Sequence, residues 1–232
     1  MPRGRRNACG GVIYHVLNRA VARIKIFRSQ GDYLAFERTL EEAHRRLAVP
    51  ILAYCVMPTH WHLVLYPKRD GDLSEFMYWL TLTHVQRWRT SHDTIGYGPL
   101  YQGRFKSFAI QDDSHLLTVL RYVERNPLRA RLVRRAEEWK WSSLHRRLDG
   151  TVEQGSMLSE WPTERPDDWL EIVNRAQSAA EEEAIQTSIH RSRPLGDPHW
   201  QQRMAKRLGL SSCFRPPGRP QKKGAPVAAA GR

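Results

Sequence analysis

Ile51-Leu-Ala-Tyr-Cys-Val-Met57 runs directly into Pro58-Thr59 and then into His60-Trp-His-Leu-Val-Leu-Tyr66. The first run is continuously apolar and too short for an ordinary helix, which predicts a strand buried on both faces. Pro58-Thr59 interrupts it. The second run alternates, so His60, His62, Val64 and Tyr66 face one side of a strand while Trp61, Leu63 and Leu65 face the other. Together the two runs read as an antiparallel hairpin at the centre of the fold.

Working outward, Val12 to Leu17 follows Gly10-Gly11 and is rich in β-branched and aromatic residues, as a first strand should be. A helix follows, with Asp32 as its expected cap and Leu34, Phe36, Leu40, Ala43 and Leu47 at broadly helical spacing. After the hairpin come a helix from about Leu73 to Arg89, a loop around Gly96 and Gly98, a strand near Arg104 to Ile110, and a helix beginning after Asp112-Asp113. The order strand, helix, strand, strand, helix, strand, helix is the ferredoxin-like split βαβ pattern of an α+β domain. It predicts an antiparallel sheet with helices on one face and the other face free for a ligand, plus a C-terminal helical and basic extension.

Composition narrows the partners. Thirty-seven Lys and Arg against 24 Asp and Glu among 232 residues give a formal charge of +13, which points to a polyanion. Nucleic acid leads and an anionic membrane surface is the rival. The longest apolar run falls far short of the ~20 residues that span a bilayer, and Met1 to Arg6 lead into no apolar signal segment. No membrane partner and a cytoplasmic, nucleoid-associated protein are therefore expected. Cys9, Cys55 and Cys213 are too widely spaced for a metal knuckle and odd in number, so free thiols are expected. Residues 151–189 carry a net −7 and residues 190–232 a net +9. This contrast predicts a body over 1–150, an acidic helical connector over 151–189, and a basic accessory helix with a disordered tail over 190–232.

The histidine pair has a chemical reading and a plain one. With ten histidines in the chain, a His-x-His pair arises by chance about 0.4 times, and two satisfied surface histidines would look the same. On a strand, however, both imidazoles can meet one divalent ion. No further Cys or His stands at the spacing zinc prefers, so an oxygen third ligand and a loosely held Mg²⁺ or Mn²⁺ suit the pair better. On the later helix, Leu116, Val119, Leu120 and Val123 form the core stripe. His115, Tyr122 and Asn126 lie along one border of it. Tyr122 can be a simple packing residue; with Asn126 one turn on, a phenol nucleophile and an amide oxygen can also reach the same phosphate. Pro127 biases Asn126 away from helical geometry.

Four motifs in order, Met57-Pro-Thr-His-Trp-His-Leu-Val, Gln102-Gly-Arg-Phe-Lys-Ser, Arg121-Tyr-Val-Glu-Arg-Asn-Pro-Leu-Arg-Ala and Trp139-Lys-Trp-Ser-Ser, resemble those of the REP-associated tyrosine transposases, bacterial members of the single-tyrosine HUH group. The resemblance covers more than half of the chain, from about Gly11 to Ser143. It implies a metal-dependent transposase that cuts and rejoins single-stranded DNA near hairpins through a 5′-phosphotyrosine. By position it makes Tyr122 the nucleophile, His60 and His62 metal ligands, and Asn126 the helix ligand, where wider relatives often have Gln. The 1–150 body becomes the catalytic domain.

DNA contacts are expected from Arg104 and Lys106, alternating with Phe105 on the fourth strand, and from the cluster holding Arg121, Arg125 and Arg129. Trp61, Trp139 and Trp141 can stack bases, although packing suits them better. Pro217-Gly-Arg-Pro resembles a minor-groove hook built on Arg219, with an unspecific basic tail as the alternative. Monomer and homodimer both stay open. Two competing functions also remain: a non-catalytic hairpin-DNA-binding regulator, and a histidine-ligated metallo-phosphohydrolase, which would turn over without a protein–DNA link.

Overall fold

The hairpin is present: β2 (Ile51–Met57) and β3 (His60–Leu65) pair antiparallel, with Met57 opposite His60. In this computed structural model the residues described are 8–149 and 157–215. β1 (Ile13–Arg19) lies against β3, and β4 (Lys106–Ile110) against β1, so the sheet runs β2-β3-β1-β4 with every neighbouring pair antiparallel. This is the ferredoxin-like order.

α1 (Gln30–Leu47) and α2 (Asp72–Ser91) cover one face. Phe36, Leu40, Phe76 and Leu80 meet Tyr14, Val16, Tyr54, Val56, Trp61 and Leu63 there. The cap of α1 is Ser29 rather than Asp32. Ser29 Oγ accepts from the Asp32 amide while the Asp32 carboxylate accepts from the Ser29 amide, so Asp32 is the return arm of a capping box.

The expectation of helices on one face only is corrected. α3 (Ser114–Arg129) lays Leu116, Val119, Leu120 and Val123 on the opposite face, against Ile13, Leu17, Cys55, Val64 and Phe108. Around its histidines that face is apolar too, and leaving it wet would forgo about 1.5–3 kcal/mol for each large side chain. α3 also continues through Pro127, so Asn126 keeps helical geometry.

Beyond α4 (Ser143–Leu148), α5 (Trp169–Asn174) and α6 (Ala179–Arg191) extend this second layer with Trp169, Val173, Ile185 and Ile189. Glu124, a fully buried carboxylate on α3, ties α4 and α5 to it by accepting from Ser143 Oγ at 2.6 Å and Trp169 Nε1 at 2.8 Å. α7 (Pro198–Arg207) starts on Asp197, whose carboxylate accepts from the Trp200 amide, with Pro198 in its first turn. Arg219 and its Pro-Gly-Arg-Pro setting lie outside the described residues.

Candidate active site

β3 alternation directs His60 and His62 to the face that α3 covers, and α3 brings Tyr122 over them. The His62 and Tyr122 ring centroids are 5.8 Å apart and nearly perpendicular; those of His60 and His62 are 5.0 Å apart. Asn126 completes the group from the next turn. Its Nδ2 donates to the Tyr122 carbonyl at 3.0 Å, and its Oδ1 accepts from Arg129 at 3.1 Å. The four residues expected to act together are thus linked in a chain of contacts, His60 to His62, His62 to Tyr122 and Tyr122 to Asn126.

Arg129 joins them. The same guanidinium nitrogen donates to the Tyr122 hydroxyl at 3.1 Å, and the guanidinium carbon lies 4.8 Å from the Tyr122 ring centroid. A second donor arrives from α6, where Gln186 Nε2 lies 3.0 Å from the same hydroxyl oxygen. Both of these groups donate to that oxygen, the pattern that steadies negative charge developing there.

The imidazoles are held neutral. Burial, then the Arg19 and Arg129 cations, push His60 down to about 4. Burial pushes His62 well below its ordinary value, helped by the His60 and His15 rings and then by Arg129 and Arg19. Neutral rings keep the lone pairs that a cation needs. His62 Nε2 is buried with no hydrogen-bond partner among the described residues. No three His, Cys, Asp or Glu gather as a metal cluster among the described residues, and the Asn126 amide oxygen, one turn beyond Tyr122, is a candidate third donor. Two imidazoles, one with an unmet buried nitrogen, and one amide oxygen fit a hard, loosely held divalent ion.

The remaining basic residues divide. Arg121 donates to the carbonyls of Arg175 and Ala176, and Arg125 to those of Val173 and Asn174, so the two guanidiniums fasten the end of α5 and the residues just after it onto α3. Lys106 opens β4 and is exposed. Arg104 is exposed ahead of the strand, where the alternation that would align it with Lys106 has not begun. Trp61 is buried and donates to Tyr101, Trp139 donates to the Val56 carbonyl, and Trp141 stacks on Tyr33. His115 pairs with the capping Asp113 at 2.7 Å.

Three neighbours of the site were not found by sequence reasoning: His15, Arg19 and Gln186. The first two had a signal. They alternate along β1, and the register sets Arg19 opposite His60 and Leu17 opposite His62. Gln186 had none, since its contact joins residues 64 apart in the chain.

Residues 9–126 match the family described as transposase, IS200-like. A Haemophilus influenzae protein named as a REP-associated tyrosine transposase is 22% identical over 130 residues, covering 52% of this chain and 74% of that one. A solved REP-associated tyrosine transposase bound to a REP hairpin aligns with a TM-score of 0.52 at 20% identity, over 72% of this chain and 99% of that one. That likeness is one of fold.

Proposed function

The chain belongs to the IS200-like transposase family, and from that footing we propose that it cleaves and rejoins single-stranded DNA beside a hairpin, with Tyr122 as the nucleophile. The observation that carries the reading is the convergence of Tyr122 and His62, 5.8 Å between ring centroids, from elements sixty residues apart.

His60, His62 and Asn126 would hold the divalent cation, Mg²⁺ or Mn²⁺. When bound, such an ion supplies positive charge that polarises the scissile phosphate. The chain's own residues do the rest. Tyr122 Oη attacks phosphorus and the P–O3′ bond breaks, leaving the 5′ phosphate on tyrosine; the phenol's proton ends on the released 3′ oxygen. Attack by another 3′-hydroxyl reverses the exchange, so the bond energy is conserved. Arg129 and Gln186 fix the phenol oxygen and stabilise the charge it carries as its proton leaves. Arg129 and Arg19 both act on the imidazoles electrostatically and can offset phosphate charge beside them.

The hairpin comes from the kinship: a solved relative holds a REP hairpin, and a chain of charge +13 suits a polyanion. Among the described residues no helix is long and apolar enough to cross a membrane. Under this reading the 1–150 body is the catalytic domain, and the segments after it support the nucleophile and the DNA.

The test is a labelled single strand carrying a hairpin, incubated with Mn²⁺ and run under denaturing conditions. Wild type should give a covalent protein–DNA adduct, and Tyr122→Phe should give none while binding DNA within twofold of wild type. Adduct persisting in Tyr122→Phe removes Tyr122 from the reaction. Repeated product release without adduct from wild type would mark a phosphohydrolase, and binding alone would mark a regulator.

A further inference from the structure

His15 is fully buried on β1, and the reaction above does not use it. Its Nε2 lies 2.8 Å from His62 Nδ1. Its ring packs on Phe108 at 4.9 Å between centroids and stands 6.3 Å from Tyr122. The outer nitrogens of this pair, His15 Nδ1 and His62 Nε2, are buried and meet no hydrogen-bond partner among the described residues.

Two neutral imidazoles carry one N–H each. One of those protons fills the shared hydrogen bond, and the other must sit at an outer end of the pair. If His15 donates, His62 has its proton on Nε2 and its lone pair faces His15, leaving nothing to offer a cation. If His62 donates through Nδ1, its Nε2 is a bare lone pair at the end of the ring away from His15, and His15 carries its proton on Nδ1. Without a cation, both arrangements strand one N–H and one lone pair. A divalent ion separates them, because only the second arrangement provides a ligand.

We propose that His15 is a positioning residue for the cation site: its Nε2 accepts from His62 Nδ1–H, which fixes the tautomer and ring angle that leave His62 Nε2 free to bind a divalent cation. The proposal rests on the reading of His62 as a ligand. Metal-binding histidines usually donate their second nitrogen to a carboxylate, carbonyl or water. Here the acceptor is a neutral ring. Beside Phe108, within a strand whose neighbours Ile13 and Leu17 are buried, an acid would be costly to desolvate.

The experiment is a Mn²⁺ titration of the full chain without DNA, with free Mn²⁺ read by electron paramagnetic resonance. His15→Phe fills the space against Phe108 but offers no acceptor, and should bind Mn²⁺ about 10- to 100-fold more weakly. His15→Gln restores an acceptor oxygen and should recover most of the loss, with thermal melts confirming that each variant is folded. His62→Ala separates the two levels. If His62→Ala binds weakly while His15→Phe stays within twofold of wild type, the role of His15 is overturned alone; if His62→Ala binds as wild type does, the ligand reading falls and this inference with it. Should His15→Phe fail to fold, wild type decides. Long-range ¹H–¹⁵N spectra with Mg²⁺ should show His62 protonated at Nδ1 and His15 bare at Nε2, and a protonated His15 Nε2 overturns the proposal.

Discussion

Arg129→Gln removes a cation bonded to both Tyr122, the proposed nucleophile, and the Asn126 amide. In wild type a single guanidinium nitrogen donates to Tyr122 Oη and Asn126 Oδ1, each at 3.1 Å. A hydrogen bond from a charged donor contributes about 1.5–3 kcal/mol, and only the part that strengthens as charge builds on the phenol oxygen affects the rate. Arg129 is an exposed residue, so solvent screening moves the figure to the lower half of that range. With tenfold in rate for each 1.36 kcal/mol, adduct formation should slow about 10- to 30-fold. The assay is the single-turnover rate of covalent adduct at saturating hairpin DNA and fixed ionic strength. Affinity should change little, its salt slope falling by at most about one phosphate contact. Arg129→Lys keeps the charge but not the planar fork, and should regain part of the rate. If Arg129→Gln reacts within twofold of wild type, charge at the phenol oxygen is not what Arg129 supplies.

Two other outcomes follow from the same geometry. Gln186→Leu removes the neutral donor to Tyr122; at about 0.5–1.5 kcal/mol it should slow adduct formation about 2- to 10-fold with unchanged DNA affinity, and an effect exceeding that of Arg129→Gln would reverse the ranking of the two donors. Acid should destabilise the fold well above the carboxylate range. Burial pushes His15 and His84 down to about 3 and His62 well below its ordinary value, so all three gain their protons on unfolding. Stability is therefore complete above the unfolded value near 6.5 and declines as pH falls below it, by up to about 1.4 kcal/mol per pH unit for each ring, or about 4 for the three. Urea midpoints at pH 7.5, 6 and 5 should fall steeply, and a flat series would mean that these rings are not kept neutral by the fold.

What could be read from the sequence was local. Alternation along His60–Leu65 and the apolar stripe of α3 each depend on residues a few positions apart, so His60, His62, Tyr122 and Asn126, the residues proposed to act, could all be picked out. A sheet face free for a ligand was at odds with β2 itself. A β2 run apolar at every position needs cover on both sides, and Leu52, Ala53 and Cys55 receive it from the α3 layer. Arg121 and Arg125 looked like a DNA-facing cluster because charge alone does not say which acceptor a guanidinium will find. They meet the last carbonyls of α5 and those just beyond it, groups that a helix end leaves without internal partners. The support of the site depends on register in the same way. His15 reaches His62 because β1 aligns Leu17 with His62 and keeps His15 on the same side of the sheet. A slip of one residue would turn His15 into the layer that holds Tyr14 and Val16, and would present an apolar side chain to His62 Nδ1. The pairing of β1 with β3 therefore sets the chemistry of the imidazole as well as the stability of the sheet.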